Sequence, residues 1–540
     1  MTKPIDKPPS KETPADLRSR AEAALENGDL VAAKELAGRL SALPLGPWDN
    51  TVLGRIALAD GDHPAARTAL EAALKQLPDE GSILVHLAEV CAVQKRWGEA
   101  VKTITIAIAQ RGSIAELHER RAIYLANTGD QIESIDALER ALGLEPDRAS
   151  AWALLGERYI EQKNSQAAKK AFETAVKSDP TNHSGLWNLA LLAEQEGDLE
   201  KAVDILTRQI DATADNRHGL HRRGLIRLSL GDLDRGWEDY AARRRSPAYR
   251  SWQHALSAPY WMGEDLTDKH LAIWADQGIG EQILTAGMAH QADSRAGSLS
   301  LACDPRLVAL LSRSFPDIAV VSLEKLGEQG EAIGPVDTQA SVSELGAVLR
   351  PTMDSFPPAA AYLVADDKRV TGYREDLSDG DADRPLVGIS WRSENVIAGK
   401  EKSTDLVRHW SAVLNVPSVR FVSLQYGDTD AEIAAARAKT GVDIVTVQDL
   451  DPTKDIDGFA ALVAAMDFVV STSNTTVHVA GGLAKPTLAM IPRAYGRPWY
   501  WFDKGETSPW YSNLTLLRSK GDWSEVAEEA ARHLAKWLNP

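Results

Sequence analysis

Cysteine is scarce in this chain, because only Cys91 and Cys303 occur among its 540 residues. Two cysteines so far apart do not provide the disulfide framework of a small secreted protein or the ligands of a cysteine-rich zinc site. The scarcity argues against both classes and favours the cytoplasm as the place where the protein acts.

Long hydrophobic runs and an excess of positive charge are also missing. No apolar stretch approaches the ~20 residues needed to cross a bilayer, and the formal net charge is −17. This acidic balance disfavours non-specific binding to nucleic acid or to anionic membranes. The start of the chain is polar and rich in proline, so we expect residues 1–14 to form a disordered tail and not a signal peptide.

A turn recurs through the first half of the chain at a spacing of about 34 residues. Five of these turns begin with Gly-Asp, and two begin with Lys-Arg or Lys-Asn. Their first residues are Gly28, Gly61, Lys95, Gly129, Lys163, Gly197 and Gly231. The period resembles that of tetratricopeptide repeats. It predicts an α-solenoid of about seven such repeats over residues 15–247.

Each repeat unit also carries one small residue in each of its two predicted helices. The first helices have Ala21, Gly54, Ala88, Ala122, Gly156, Ala190 and Gly224, and the second helices have Ala33, Ala66, Ala100, Ser134, Ala168, Ala202 and Gly236. Two helices of one unit cross closely only where a small side chain lets the backbones approach. The coincidence of both patterns makes the repeat prediction highly specific.

A repeat array of this kind binds protein segments on its concave face. No catalytic constellation is visible in this half, where the histidines are scattered singly. The basic run Arg243 to Arg245 closes the array. We favour a solvated capping helix for this run over a site for an acidic ligand.

The second half alternates short apolar runs with helical stretches, which predicts parallel, doubly wound sheets. The predicted strands are 270–275, 299–303, 318–323, 386–390, 420–424, 443–447, 468–471 and 487–491. A polar segment at 380–385 divides them, so we expect one Rossmann-like lobe at 248–383 and a second, nucleotide-sugar-binding lobe at 384–540. Ligands of such sheets lie at the carboxyl ends of the strands, and a cleft between two lobes suits a nucleotide-linked ligand.

The stretch from Met466 to Thr487 holds the strongest candidate for a binding motif. An apolar strand is followed by six hydroxyl or amide residues, Ser471 to Thr476, and then by a helix of small residues. The N-terminus of a helix attracts phosphate, with about 0.3–1 kcal/mol per charge from the helix dipole. The same residues also suit an ordinary capped turn between a strand and a helix.

The motifs of the second half, taken in order, resemble those of a known family. They are WMGEDL at 261–266, DQGIGEQI at 276–283, GISWRSEN at 388–395, FVSLQYGD at 421–428, STSNTTVHVAGGLAKPT at 471–487, SPWY at 508–511 and GDW at 521–523. The set resembles tetratricopeptide-repeat glycosyltransferases whose catalytic half has the GT-B fold and is similar to heptosyltransferases and to O-linked N-acetylglucosamine transferase. Among these, the sequence is most similar to enzymes that glycosylate flagellin.

The resemblance implies a role for the pair Gly280-Glu281. Heptosyltransferase-like enzymes carry Gly-Asp in this turn, and the carboxylate assigned there as general base corresponds to Glu281. An acceptor hydroxyl must lose its proton as it attacks the anomeric carbon, and a positioned base contributes about 10²–10⁴-fold. Glutamate keeps the carboxylate but moves it outward by one methylene group. The alternative is that Glu281 is only a favourable carboxylate in the first turn of a helix.

The same resemblance implies two sets of binding residues. The set for the donor phosphate comprises Ser473, Asn474, Thr475, Thr476, His478, Lys402 and Ser403. The set for substrate comprises Gln277, Gly278, Gly280, Trp391 and Arg392. A cation at Lys402 would offset the charge that develops on the leaving phosphate. Lys400 is an equal rival for this role, an exposed-loop lysine is the alternative for Lys402, and a plain helix residue is the alternative for His478.

Five aromatic residues gather near the end of the chain. They are Trp499, Tyr500, Trp501, Trp510 and Tyr511. A platform for a sugar or a base is one interpretation of this cluster. We favour the other, a hydrophobic core between the lobes.

Metal-dependent glycosyltransferases carry Asp-x-Asp after a strand, and this spelling recurs in the chain, for example at Asp381-x-Asp383, Asp428-x-Asp430, Asp449-x-Asp451 and Asp455-x-Asp457. In so acidic a sequence the spelling is uninformative, so we predict neither a metal nor another cofactor. The predicted function is a protein O-glycosyltransferase that moves a sugar from a nucleotide donor to a Ser or Thr of a protein held by the array. Flagellin as acceptor and a CMP-linked nonulosonic acid as donor follow from the resemblance. A glycan or lipid acceptor, and a repeat scaffold without catalysis, are the alternatives.

Overall fold

The computed structural model describes residues 13–213, 216–245, 256–326, 333–393, 402–493 and 496–539. Nearly all of the predicted tail at 1–14, and the rival Lys400, lie outside these residues. The chain divides into two compact units, residues 1–189 and residues 190–540. The division falls inside the helix His183–Glu196, so the last repeat helices belong to the same compact unit as the α/β part.

Helices occupy most of the first 240 residues. In order along the described part, they are α1 Pro14–Glu26, α2 Leu30–Ser41, α3 Pro47–Ala59, α4 His63–Gln76, α5 Gly81–Val93, α6 Trp97–Arg111, α7 Ala115–Thr128, α8 Gln131–Leu144, α9 Ala149–Glu161, α10 Ser165–Ser178, α11 His183–Glu196, α12 Leu199–Asp211, α13 Arg217–Leu230 and α14 Leu233–Tyr240. A short 3-10 helix, Ala241–Arg245, follows α14. This succession of helices confirms the predicted tetratricopeptide solenoid.

The repeated turns share one backbone conformation. The five glycines at the turn positions have φ between 74° and 90°, and Lys95 and Lys163 adopt φ of 58° and 60° at the two turns without glycine. An L-residue enters this left-handed region only at a cost. The fold therefore enforces the same turn whether or not the sequence supplies glycine.

The small residues lie where the paired helices cross. A Cβ atom placed on Gly54 would be 2.7 Å from Leu70 Cγ, and one placed on Gly156 would be 2.5 Å from Phe172 Cε1. Both distances are shorter than a van der Waals contact allows. The close crossing of two helices is thus the physical reason for the repeated small residue.

The first of two parallel sheets has four strands in the order β3-β2-β1-β4. They are β1 Leu266–Trp274, β2 Ala296–Cys303, β3 Ala319–Ser322 and β4 Thr338–Ser341. Three of them were predicted, and β4 was not, because Thr, Gln, Ala and Ser do not form an apolar run. All four β4 residues are nevertheless buried, and the Gln339 Oε1 atom accepts a hydrogen bond from Trp274 Nε1 at 2.9 Å.

Helices follow the strands of this sheet along the chain, and the last of them, Asp367–Ser378, packs on the helix Ile456–Ala465 of the following part. They are α15 Ile279–Ala286, α16 Ala289–Asp293, α17 Val308–Ser314, α18 Leu323–Leu326, α19 Leu345–Leu349 and α20 Asp367–Ser378, with 3-10 turns at Pro305–Leu307, Val342–Glu344 and Met353–Ser355. The sequence predicts a single helix from about Gln282 to Asp293, whereas the structure has two separate helices, α15 and α16. The break falls at Gly287, which packs on the Tyr362 ring.

The second parallel sheet has six strands in the order β10-β9-β8-β5-β6-β7. They are β5 Leu386–Ser390, β6 Arg420–Ser423, β7 Ile444–Val445, β8 Phe468–Thr472, β9 Thr487–Ile491 and β10 Leu514–Arg518. The helices of this part are α21 Leu406–His409, α22 Ser411–Leu414, α23 Asp430–Thr440, α24 Ile456–Ala465, α25 Thr475–Gly482 and α26 Trp523–Leu538, and Trp499–Trp501 is a 3-10 turn. The predicted parallel strand arrangement is confirmed.

The last repeat packs directly on the α/β part within the second compact unit. Trp237 of α14 is 6% exposed, its Nε1 atom donates to the Arg350 carbonyl at 2.9 Å, and its ring lies edge-on to Trp499 at 5.2 Å. A Cβ atom on Gly346 would overlap the Trp237 ring at 2.2 Å. The end of the array is therefore part of the α/β core. Among the described helices, none is both long and apolar enough to cross a membrane.

Candidate functional site

Two turns that are far apart in the sequence lie against each other. Gly278 is the N-cap of α15, and Gly280 lies in the first turn of that helix. A Cβ atom on Gly280 would be 2.7 Å from the Cδ2 atom of His478 in α25. The glycine is therefore needed for contact between the turn after β1 and the helix after β8. The structure brings together the two segments that carried the main sequence-predicted residues.

His478 is held from several sides at this contact. Its side chain is buried, its Nδ1 atom lies 3.1 Å from the Tyr511 hydroxyl and its Nε2 atom lies 3.3 Å from the Tyr500 hydroxyl. Its ring stacks on Trp501 with 5.3 Å between centroids. Burial, with a smaller effect of the Lys402 charge, lowers the pKa of His478 to about 3. The ring is therefore neutral at physiological pH and is packed tightly at this contact.

Asn474 uses its whole amide group inside the fold. Its Oδ1 atom accepts from the Thr476 backbone N–H at 3.0 Å and from Ser471 Oγ at 3.1 Å. Its Nδ2 atom donates to Ser390 Oγ at 2.8 Å and to the Arg392 carbonyl at 3.1 Å. The side chain thus caps α25 and ties the ends of β5 and β8 together. These contacts occupy both hydrogens of the side-chain amide, and the phosphate role implied by the resemblance stays a prediction.

The remaining residues of the loop differ in how far they are engaged. Ser473 Oγ accepts from Trp501 Nε1 at 2.8 Å, so this hydroxyl also serves packing. Within the described residues, the buried hydroxyls of Thr472 and Thr476 have no hydrogen-bond partner. Thr475 is half-buried at the first position of α25. Ser473 and Asn474 are therefore engaged in packing and capping, whereas Thr475 keeps a partly exposed side chain.

Glu281 lies in the first turn of α15 and is half-buried. Burial raises the pKa of its carboxyl group, and the positive charges of Lys402 and Arg243 oppose that rise. The charge of Glu281 in turn adds to the raised pKa of the Tyr500 hydroxyl. A carboxylate with a raised pKa is a stronger base, as general-base chemistry requires.

Lys402 shares this environment with Glu281. Burial lowers the pKa of the Lys402 ammonium group, and the Glu281 carboxylate partly restores it. The neighbouring Ser403 has its hydroxyl against the backbone of Ser393, from which it accepts at 3.0 Å. The half-buried position of Lys402 argues against an exposed-loop lysine. Ser403 Oγ also donates to the Ser393 carbonyl at 3.2 Å.

Trp391 and Arg392 have their side chains directed away from this contact. The Trp391 ring is fully buried in the core of the second sheet, and its Nε1 atom donates to Glu432 at 3.2 Å. Arg392 forms an ion pair with the same Glu432 at 3.1 Å. Both side chains therefore join the β5 exit to α23, and the substrate-binding role that the resemblance implies for them stays a prediction. The Arg392 carbonyl contacts Asn474, whereas the Trp391 carbonyl accepts from Thr404.

Arg243 was missed as a site residue by the sequence interpretation, which favoured a solvated capping helix for the run at 243–245. Its side chain is 7% exposed and forms a buried ion pair with Asp276, at the exit of β1. Gln277 follows Asp276, and its side chain lies between Arg243 and Glu281. The only sequence signal was the position of the basic run at the end of the array, which does not reveal what it contacts.

The aromatic cluster is a core. Tyr500, Trp501, Trp510 and Tyr511 are all buried, and Trp501 and Tyr511 both lie close to His478. Burial on this scale leaves no open ring face for a sugar. The favoured interpretation, a hydrophobic core, agrees with this packing. Within the described residues, no group of three His, Cys, Asp or Glu side chains could hold a metal ion.

The fold and the site together describe a tetratricopeptide-repeat protein whose second half contains two parallel sheets. The family model described as tetratricopeptide repeat matches residues 51–113 and 154–217. Protein FlbA of Caulobacter vibrioides is 29% identical over 495 residues, which cover 88% of this chain and 82% of FlbA. An alignment of this length exceeds the repeat array, so the similarity to FlbA includes the α/β half.

Other similarities are shorter. Human protein O-mannosyl-transferase TMTC3 is 27% identical over 141 residues, 26% of this chain and 15% of TMTC3. The solved structure titled as a functional characterisation of Pseudomonas aeruginosa pilF has 20% identity and a TM-score of 0.34, and the match covers 38% of this chain and 96% of that one. The crystal structure of MamA has 21% identity and a TM-score of 0.27, and the match covers 30% of this chain and 94% of MamA.

Proposed function

We propose that the protein is a metal-independent O-glycosyltransferase of GT-B type that moves a sugar from a nucleotide donor to a Ser or Thr hydroxyl of a protein acceptor. The observation that carries this proposal is the contact of Gly280 with His478. It joins two βα turns at the carboxyl ends of two parallel sheets, which is where such sheets bind ligands. Glu281 and Lys402 interact in the same place.

Glu281 would act as the general base of the transfer. Its carboxylate takes the proton of the acceptor hydroxyl as the oxygen bonds to the anomeric carbon, and the bond from that carbon to the nucleotide phosphate breaks. The nucleotide leaves with the bonding electron pair, and Glu281 is left protonated. The raised pKa of Glu281 supports this role because it brings the base nearer to neutral pH.

Lys402 and the N-terminus of α25 would stabilise the leaving phosphate. An ammonium group and a helix dipole both lower the energy of negative charge that builds in the transition state. Thr475, half-buried at the first turn of α25, and the buried Thr476 hydroxyl supply polar atoms beside it. This division gives the base to the turn after β1 and the donor phosphate to the turn after β8. The proposed reaction uses no cofactor.

The acceptor would be a protein segment that the repeats bind, since such arrays bind protein. Flagellin as acceptor and a CMP-linked nonulosonic acid as donor are the specific substrates that we propose, with the cytoplasm as location. The similarity to FlbA over 88% of this chain supports a shared architecture. The name of TMTC3 describes sugar transfer to protein, although only 15% of that protein is matched.

The proposal is tested by transfer with the full-length protein. Flagellin is incubated with a panel of sugar nucleotides that includes CMP-linked nonulosonic acids, and the intact mass of flagellin is recorded. We expect a mass increase of one sugar residue or more with one donor. Glu281→Gln should lower the rate by about 10²–10⁴-fold, because the base is lost while the shape is kept.

Glu525→Gln is the matched control, since Glu525 is an exposed carboxylate in the first turn of α26. It should leave the rate unchanged. Equal rates for wild type and Glu281→Gln would reject Glu281 as the base. Modification of a glycan or lipid but not of flagellin would favour the alternative acceptor.

A further inference from the structure

We propose that Arg243 is a positioning residue, which holds the turn from Gln277 to Glu281 and so makes the end of the repeat array part of the reaction site. The inference rests on the proposed function of Glu281. It assigns to the last repeat a second task besides acceptor binding. That task is to fix the geometry of the base.

Arg243 enters the first sheet at a chemically favoured place. The chain adds β2 and β3 on one side of β1 and then crosses to add β4 on the other side. Such a switch point leaves a crevice at the carboxyl ends of the two strands. The guanidinium group lies in this crevice, where it contacts Asp276 after β1 and Ser343 Oγ after β4. Ser343 Oγ also donates to Asp276 at 2.7 Å. A group from the array thus occupies the crevice and joins its two sides.

The same guanidinium group reaches Glu281 through one side chain. In the amide orientation that satisfies its neighbours, the Gln277 oxygen accepts from Arg243 Nη1 at 2.8 Å, and the Gln277 nitrogen donates to Glu281 Oε2 at 3.3 Å. Arg243 also donates to the Tyr240 hydroxyl and lies over the Tyr240 ring at 4.5 Å. Two successive hydrogen bonds therefore connect the last repeat with the carboxylate.

Arg244 provides a comparison within the same 3-10 turn. Its Nε atom lies 2.7 Å from Glu344 Oε1, and its guanidinium lies over the Tyr260 ring at 4.6 Å. It therefore anchors the turn on the β4 side without contact to Gln277 or Glu281 in the described structure. Variants of Arg244 therefore test the anchoring of the array alone, and variants of Arg243 test the positioning of the base.

The charge of Arg243 also affects the pKa of Glu281. The titratable and charged groups whose charges interact with Glu281 are Arg243, Lys402, Tyr240 and Tyr500. The positive charge of Arg243 holds the pKa of Glu281 below the value that burial alone would give. Removal of this charge should raise that pKa. Because a base works only when deprotonated, the acidic limb of the pH–rate profile should then move to higher pH.

The test uses Arg243→Gln, Arg243→Lys and Arg244→Gln in the full-length protein. Hydrogen–deuterium exchange of the peptide 276–284 is measured first, since it requires no activity. Arg243→Gln should accelerate its exchange, and Arg244→Gln should not. In the transfer reaction, Arg243→Gln should lower kcat by about 10–100-fold through misplacement of the base. It should also move the acidic limb of the pH–rate profile to higher pH and leave the KM for flagellin unchanged. Arg243→Lys should restore the position of the limb.

Three results would overturn the proposal: equal exchange in the two glutamine variants, an unmoved acidic limb in Arg243→Gln, or an increase only in the KM for flagellin. If the wild-type protein transfers no sugar, the proposed function fails, and the exchange measurement still decides whether Arg243 orders the turn.

Discussion

Burial keeps His478 neutral at the centre of the contact between the two turns. Its pKa is lowered to about 3, and its two ring nitrogens face the hydroxyls of Tyr500 and Tyr511. In a neutral imidazole one nitrogen donates and the other accepts, so one of the two tyrosine hydroxyls faces a donor and the other faces an acceptor. A group with so low a pKa is a poor base near pH 7, so the base that we propose is Glu281 and not this histidine.

Asn474 and Thr475 are neighbours with opposite expected roles. Asn474→Ala removes four hydrogen bonds, of which two join the exits of β5 and β8 and two lie within the turn before α25, and it leaves buried partners unsatisfied. We expect a loss of about 2–4 kcal/mol in the free energy of unfolding, measured by urea unfolding of the full-length protein.

Thr475→Ala supplies the comparison for this prediction. Because Thr475 is half-buried at the helix N-terminus, its variant should unfold like the wild type and bind the sugar nucleotide at least several-fold more weakly, as measured by calorimetry. Unchanged stability in Asn474→Ala would show that its hydrogen bonds do not hold the strand exits together.

The repeated turn is the feature that matters most at the scale of elements. At Lys95 and Lys163 the array forces an L-residue into the left-handed region, with φ of 58° and 60°. Glycine adopts this conformation without the steric cost. The double variant Lys95→Gly with Lys163→Gly should therefore raise the free energy of unfolding by about 0.5–1 kcal/mol per site, less the added entropy of the unfolded chain. Thermal unfolding of the full-length protein measures the gain.

Lys102→Gly is the control for this substitution. Lys102 is exposed inside α6, where glycine costs about 1 kcal/mol relative to a good helix former. Glycine should thus raise the free energy of unfolding at the two turns and lower it in the helix. A loss of stability at all three positions would mean that the turns carry no strain.

At the scale of the whole molecule, the repeat array has no sharp end. The sequence pattern continues to 247, but the compact units divide between 189 and 190. Helices α12, α13 and α14 therefore share a unit with both sheets. The covered Trp237 ring, which contacts Gly346 and Trp499, shows the apolar character of this packing.

Two fragments test this division. Residues 183–540 begin at the start of α11 and keep the last repeats, so we expect a cooperative thermal transition. Residues 248–540 lack Trp237 and expose the apolar surface that it covers. We expect this shorter fragment to aggregate or to melt at least several degrees lower. Equal melting temperatures for the two fragments, measured by differential scanning calorimetry, would contradict the assignment of the last repeat to the α/β core.

The sequence alone determined the features that depend on local pattern. The period of the turns and the paired small residues specified the solenoid, because each repeat solves the same packing problem within about 34 residues. Apolar runs at 386–390 and 487–491 gave the strands β5 and β9 with their observed bounds. The polar strand β4 escaped prediction, since its burial depends on partners such as Trp274 that lie far away in the chain.

Only the tertiary structure decided which polar residues meet. Asn474 and Thr475 are equivalent in a polar loop, and only the hydrogen bonds to Ser390 and Arg392 separate a structural role from a binding role. Arg243 likewise acquires its place from Asp276, which the sequence does not connect with it. A side chain's burial and charge partners come from segments distant in the chain, and local periodicity carries no record of those contacts.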